Sequence, residues 1–113
     1  VALLGCGLGA SASLLTAAQQ PACAAALASC GARLEAVVEQ LPRVHAPTLL
    51  MVDGDDGALL RSHRQAMRLL TCAKRLEVVP GAGGHRPDHG AFDAMANLAG
   101  DWFTRHLPRA RLH

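Results

Sequence analysis

Short apolar segments that end in glycine, aspartate or proline alternate with helical patterns along this chain of 113 residues. The clearest segment is Thr48–Val52, which begins and ends with a β-branched residue and leads directly into Asp-Gly-Asp-Asp-Gly at 53–57. Helical patterns between such segments predict parallel strands joined by right-handed crossovers, with helices on both faces of the sheet. We therefore expect one α/β domain over residues 1–113, with about four parallel strands.

The other elements follow from the same patterns. Apolar runs predict strands at 1–4, 23–30 and 75–79, and a helix is the alternative for the second run. A run dominated by alanine and leucine, which Pro21 stops, predicts a helix at 8–19. Helical spacing predicts helices at 59–70 and 91–107, and a short helix or loop turn at 34–41 that Pro42 ends. A loop is predicted over 80–90. The last helix is expected to bury one stripe of side chains: Phe92, Met95, Leu98, Ala99, Trp102 and Phe103.

Composition excludes several classes of protein. Half of the residues are hydrophobic and the formal net charge is +2, a balance that disordered chains do not show. No segment supplies the roughly 20 unbroken apolar residues of a membrane-spanning helix. Aromatic residues make up only 3%, too few for a surface that stacks single-stranded nucleic acid. We therefore expect a domain that binds neither membrane nor nucleic acid.

Cysteine usage bears on the cellular compartment. The four cysteines include no Cys-x-x-Cys pair, and no basic secretory leader precedes them. This pattern favours reduced, mostly buried thiols, and with them a cytoplasmic location.

Three loops at one edge of the predicted sheet carry most of the glycine, acid and histidine. Ligands of parallel sheets bind beyond the carboxyl ends of the strands, where the loops at 5–9, 53–57 and 80–90 meet. In chain order, these loops offer a glycine-framed tight turn, an acid cluster and a histidine. The α/β-hydrolases use the same order.

The likeness extends beyond that order. Segments 1–5, 42–56, 74–82 and 99–107 resemble the C-terminal half of α/β-hydrolases related to dienelactone hydrolase. The resemblance covers nearly the whole chain and implies a partial α/β-hydrolase fold, from the nucleophile-elbow strand to the C-terminal helix. It also implies descent from enzymes that cleave small esters or lactones, without a cofactor.

The resemblance assigns roles to individual positions. The nucleophile position falls on Gly7, between two flanking glycines, and the oxyanion donor is the backbone N–H of Leu8. The carboxylate falls on Asp56, and the base on His85, one residue later than the family spacing. Because glycine has no attacking atom, the resemblance implies a degenerate hydrolase whose activity is in doubt.

Other interpretations of these residues stay open. Cys6 carries a thiol but lies one residue before the elbow tip, which favours a buried strand-end cysteine. Asp56 and its acidic neighbours are alternatively caps of a turn and of the following helix. His85, Asp88 and His89 could suggest a metal site, but their spacing matches no rule that places a third ligand beside the two histidines, so no metal is expected.

The first strand suggests a role in assembly. A sheet cut at this strand would expose an apolar edge that invites pairing with another chain. We therefore expect either a piece of a longer protein or one half of a homo-oligomer that completes its own sheet. A non-catalytic oligomerising module is the alternative function. A phosphate-binding domain is weaker, because the turn at 5–10 lacks the lysine of a P-loop.

Overall fold

A computed structural model of the chain describes residues 2–82 and 89–107. The strands are β1 (Ala2–Cys6), β2 (Ala26–Cys30), β3 (Thr48–Val52) and β4 (Lys74–Val78). The α-helices are α1 (Leu8–Gln19), α2 (Gly57–Leu69) and α3 (His89–His106). Short 3₁₀ helices span Pro21–Cys23, Leu34–Ala36 and Val38–Arg43. None of the helices in the described ranges combines the length and hydropathy needed to cross a bilayer.

The four strands form one parallel sheet in the order β1-β2-β3-β4. The register places Cys6 opposite Cys30, Cys30 opposite Met51 and Met51 opposite Glu77. All four strands therefore end at the same edge. This architecture confirms the predicted α/β class with four parallel strands.

Two hydrophobic cores lie on opposite faces of the sheet, because successive strand side chains alternate between faces. The first core packs Leu27 and Leu50 against Leu14 of α1 and Ala66 of α2. The second core packs Ala28, Cys30, Leu49 and Met51 of the sheet against Met95 and Trp102 of α3. Helices thus cover both faces, as expected.

The α3 side of β1 is incompletely covered. Leu3 packs into the first core, whereas Leu4 on the opposite face is 58% exposed and Cys6 is also exposed. Helix α3 packs on β2 and β3. Within residues 2–82 and 89–107, β1 is therefore an edge strand whose apolar Leu4 is uncovered.

The predicted buried stripe of α3 is wrong at Phe92, which is 63% exposed. The buried residues of this helix are Ala91, Met95, Ala99 and Trp102, a spacing of three or four residues. Phe92 lies one position, or about 100° of helical rotation, away from that stripe. The ring therefore points away from the sheet.

Several predicted boundaries also need correction. Strand β1 continues to Cys6, and β2 begins at Ala26 because Pro21 starts a 3₁₀ turn instead. Pro42 does not end the predicted short helix at 34–41. It lies inside the 3₁₀ helix Val38–Arg43, and the Val44 N–H still donates to the Leu41 carbonyl at 3.0 Å. The predicted loop at 80–90 includes His89 and Gly90, which are already helical.

Candidate functional site

Backbone hydrogen bonds align the turns at the carboxyl ends of the strands. The Gly7 N–H donates to the Cys30 carbonyl at 2.9 Å, and the Gly31 N–H donates to the Met51 carbonyl at 2.9 Å. The same kind of bond follows β4. Each strand end is thus fixed to its neighbour, and the turns after β1 and β3 lie on one edge with the end of β2 between them.

A close approach between β1 and α1 makes the first turn tight. A Cβ atom added to Gly5 would lie 2.5 Å from the carbonyl oxygen of Gly9, whereas one added to Gly9 would meet nothing within 4 Å. Only a glycine at position 5 allows this backbone contact. The two flanking glycines therefore have different roles: Gly5 lacks a side chain so that the backbone of Gly9 can approach.

Gly7 lies at the tip of this strand-to-helix turn. Its φ of 58° and ψ of −122° fall where residues with side chains are strained. A Cβ at this position would meet no atom within 4 Å. The turn thus has the strained strand-to-helix geometry of a nucleophile elbow, with open space where a nucleophile would project.

The residue after Gly7 begins α1. As the first helical residue, Leu8 has a backbone N–H that lacks a partner within the helix, and no side chain caps this helix. The helix N-terminus also carries a partial positive charge. These features suit the oxyanion role that the resemblance implies for Leu8, and that role stays a prediction.

Ser11 ties the first turn of α1 to the segment after β2. Its hydroxyl donates to the Arg33 carbonyl at 2.9 Å and accepts from the Arg33 N–H at 3.0 Å. This reciprocal pair of hydrogen bonds joins the first turn of α1 to the segment that follows β2. No local sequence pattern predicts this contact, because Ser11 and Arg33 are 22 positions apart.

Aspartate side chains hold the turn after β3. Asp53 Oδ1 accepts from the Asp55 N–H at 3.0 Å, and Asp56 Oδ1 accepts from the Leu59 N–H at 3.0 Å as the N-cap of α2. Capping, one of the two interpretations of Asp56, is therefore present. It occupies Oδ1, and a carboxylate has a second oxygen that can accept. The triad role of Asp56 stays a prediction.

The predicted base, His85, lies outside the described residues, as does Asp88. His89 is the first residue of α3 and is exposed. Within 2–82 and 89–107, no group of three or more histidine, cysteine or acidic side chains is placed to hold a metal ion.

His63 is a buried polar residue that the sequence interpretation missed. Its Nδ1 lies 2.8 Å from the Leu59 carbonyl oxygen, so this nitrogen carries the proton, while the buried Nε2 has no hydrogen-bond partner. Burial lowers the pKa of His63, opposed in part by the Leu59 carbonyl and by the charge of Asp56. Its spacing on α2, three residues before the buried Ala66 and four after the half-buried Leu59, could have revealed it from the sequence.

The described cysteines differ in exposure. Cys6 is exposed, Cys72 is half-buried and Cys30 is buried. The expectation of mostly buried thiols is therefore wrong for Cys6, because its face of β1 is bare. Burial, together with its interactions with the Cys6 thiol, raises the pKa of Cys30 to about 12.

Two shallow clefts lie away from the elbow. One of about 160 Å³ separates Arg75 and Glu77 of β4 from Trp102 of α3. Another of about 200 Å³ lies between Leu41 and Gln65 of α2. Neither is lined by Gly7 or Asp56.

Known proteins share much of this sequence. No family model matches the chain. Proteins of two Mycobacterium tuberculosis strains, provisionally named phosphoribosyl transferases, are 36% identical over 107 residues. That alignment covers 95% of this chain but 24% of each relative. The chain therefore spans about a quarter of the curated relatives it matches.

Solved structures settle the fold. A dienelactone hydrolase from Anabaena variabilis superposes with a TM-score of 0.88 and 36% identity, covering 96% of this chain and 50% of that protein. The chain has an α/β-hydrolase-like fold. A CIB-like hydrolase from Thermoplasma acidophilum shares the fold alone, with a TM-score of 0.65 and 19% identity over 86% of this chain and 49% of its own. The α/β-hydrolase-like chain thus spans about half of each neighbour.

Proposed function

We propose that the chain descends from an ester or lactone hydrolase and keeps the nucleophile elbow without the nucleophile. The observation that carries this proposal is Gly7, which has strained dihedral angles and an open space at the tip of a β1–α1 turn. Sequence likeness supports it, because the dienelactone hydrolase neighbour is 36% identical.

The chemistry follows from what the position lacks. Hydrolysis through an acyl-enzyme needs an attacking atom, a base, a carboxylate that orients the base, and backbone donors for the oxyanion. We assign the last three to His85, Asp56 and the Leu8 N–H. Without an attacking atom at Gly7, no acyl-enzyme forms. A small ester or lactone would therefore be bound rather than turned over, with no cofactor.

Restoring the missing atom tests this proposal. Gly7→Ser adds a hydroxyl where the structure has room, and Gly7→Ala is the matched control with the same backbone strain but no nucleophile. We expect hydrolysis of a p-nitrophenyl ester above buffer only for Gly7→Ser. A fluorophosphonate should label position 7 in that variant alone, and mass spectrometry detects the adduct without need for turnover.

The possible outcomes separate clearly. The proposal predicts that His85→Ala in the Gly7→Ser background lowers both turnover and labelling, because the serine then has no base. Equal turnover and equal labelling of folded Gly7→Ser and Gly7→Ala would overturn the elbow assignment. Hydrolysis by the parent chain would also contradict it, and Cys6→Ser would then show whether the neighbouring thiol is responsible.

The transferase name of the Mycobacterium tuberculosis proteins belongs to chains of which this one spans a quarter. A phosphate role for the glycine turn at 5–10 has less support than the hydrolase proposal. That turn contains no lysine, and Ser29 and Cys30 stand where a dinucleotide fold carries an acid.

A cytoplasmic location stays a prediction from cysteine usage.

The bare face of β1 favours a second candidate, a non-catalytic homo-oligomerising module. Leu4 is 58% exposed beside a free strand edge. Sedimentation at micromolar concentration should show association that Leu4→Lys weakens. Val78→Lys is the matched control, because Val78 is an exposed apolar residue on the opposite edge strand. A monomeric parent chain would rule the candidate out.

A further inference from the structure

Three sulfur-bearing side chains converge on the α3 side of the sheet. Cys6 and Cys30 are direct partners in the parallel register of β1 and β2, whose backbones lie about 4.8 Å apart as in any sheet. The two thiols interact with each other, and Cys30 Sγ donates to Met95 Sδ at 2.9 Å. Cys6, Cys30 and Met95, here termed the sulfur cluster, thus come from three different elements.

The sulfur cluster is open on one side only. Cys30 and Met95 are buried in the second core, whereas Cys6 is exposed at the end of β1. The bare face around Leu4 adjoins this opening. An ion could therefore reach Cys6 from solvent and be held against two sulfur atoms that water does not reach.

The donor set selects the kind of ion. Thiolate and thioether are soft ligands that favour copper(I), and thioether sulfur is a poor ligand for hard cations. Zinc normally takes four nitrogen, oxygen or thiolate ligands, and no group of three such residues is present in the described part of the chain. We infer that Cys6, Cys30 and Met95 form a three-sulfur site for a soft monovalent cation, copper(I).

Binding must release protons. One copper(I) ion and two thiols give one bis-thiolate complex and two protons, with no change of oxidation state. Affinity should therefore rise with pH.

The experiment uses the whole chain, reduced and kept free of oxygen. Copper(I) is titrated against bicinchoninate as a competing chelator, and silver(I), which is redox-inert, is titrated with native mass spectrometry as the readout. We expect one ion per chain. Cys6→Ser and Met95→Leu should each weaken binding at least about tenfold, because each removes a ligand. Cys72→Ser is the matched control and should change nothing.

Each result bears on the site. Met95→Leu conserves core volume, and Cys6→Ser lies on the surface, so circular dichroism should show both variants folded. If either folded variant binds copper(I) as tightly as the parent, the three-sulfur site is wrong. Equal affinity for zinc, or no binding by the reduced parent, would also overturn it. None of these outcomes depends on the proposed hydrolase ancestry.

Discussion

Two turns at the same edge of the sheet perform the same task by different means. The turn after β1 relies on backbone: Gly5 admits Gly9 at close range, Gly7 takes a positive φ, and α1 has no side-chain cap. The turn after β3 relies on side chains, since Asp53 and Asp56 accept from backbone N–H groups. Both redirect a strand into a helix.

The difference bears on what each turn can offer a ligand. In the glycine turn the N-cap of α1 is Gly7, which has no side chain that could accept from the first N–H groups of the helix. In the aspartate turn, capping already uses one carboxylate oxygen of Asp56. The first turn therefore leaves the start of its helix without a side-chain cap, and the second is built around an acceptor that also stabilises the fold.

Gly5→Ala should have the largest effect on this comparison. The added Cβ would overlap the backbone of Gly9 at 2.5 Å, and backbone cannot move aside as a flexible side chain can. We expect a loss of about 3 kcal/mol in the free energy of unfolding, at the upper end for overpacking. Urea denaturation measures it.

Gly9→Ala is the matched control, because its Cβ meets nothing within 4 Å. Inside α1 this change should be neutral or stabilise by up to about 1 kcal/mol. Equal losses for the two variants would contradict the proposed asymmetry of the elbow.

Gly7→Ala should come next in size. Its φ of 58° and ψ of −122° strain any residue with a Cβ, at a cost of about 2 kcal/mol, even though the space is open. Thermal unfolding monitored by circular dichroism measures the loss. Gly100→Ala, an exposed helical position in α3, has open space without a positive φ and should lose nothing. If both variants behaved alike, Gly7 would not be strained.

Asp56→Ala should cost about 1 kcal/mol, the usual value of an N-cap. Asp55→Ala is the control, since Asp55 contributes its backbone N–H rather than its side chain to the turn. Asp56→Asn keeps the cap while it removes the charge. Urea denaturation should therefore show a loss for Asp56→Ala alone, and an equal loss for Asp56→Asn would mean that charge matters more than the cap.

Asp56→Asn also tests whether the aspartate turn takes part in catalysis. In the Gly7→Ser background, Asp56→Asn should lower ester hydrolysis without loss of stability if Asp56 orients a histidine. Unchanged hydrolysis would leave Asp56 with its capping role only.

Local patterns were enough to predict most of the framework. The run at 48–52 is a strand with its predicted ends, and Leu8–Gln19 is a helix with its predicted ends, because a terminating aspartate-glycine or proline follows each apolar run. The glycine frame also revealed the turn after β1. Sequence could not show that Gly5, rather than Gly9, is the sterically required glycine, since this depends on how closely α1 approaches β1.

Long-range contacts account for what local patterns missed. The exposure of Phe92 depends on which side of α3 meets the sheet, and a shift of one residue is enough to turn a ring outward. The proximity of Cys6 to Cys30 depends on strand register, which periodicity alone does not define. Met95 lies 65 residues from Cys30, so only the tertiary fold brings their sulfur atoms together.

The smallest effect on stability near neutral pH should come from His63, in the helix α2 that follows the aspartate turn. Burial lowers its pKa in the folded chain below the ordinary value of 6.5, so the unfolded chain binds more protons as the pH falls through that range. Stability is therefore complete above about pH 7.5 and declines with acid, by at most about 1.4 kcal/mol per pH unit for one proton.

Thermal unfolding at several pH values tests this linkage. The parent should lose stability between about pH 7 and about pH 5, and His63→Gln should flatten the decline because it removes the titrating group. His45→Gln, at an exposed position, is the control and should keep the parental slope. A parental slope in His63→Gln would show that His63 is not the source of the acid sensitivity.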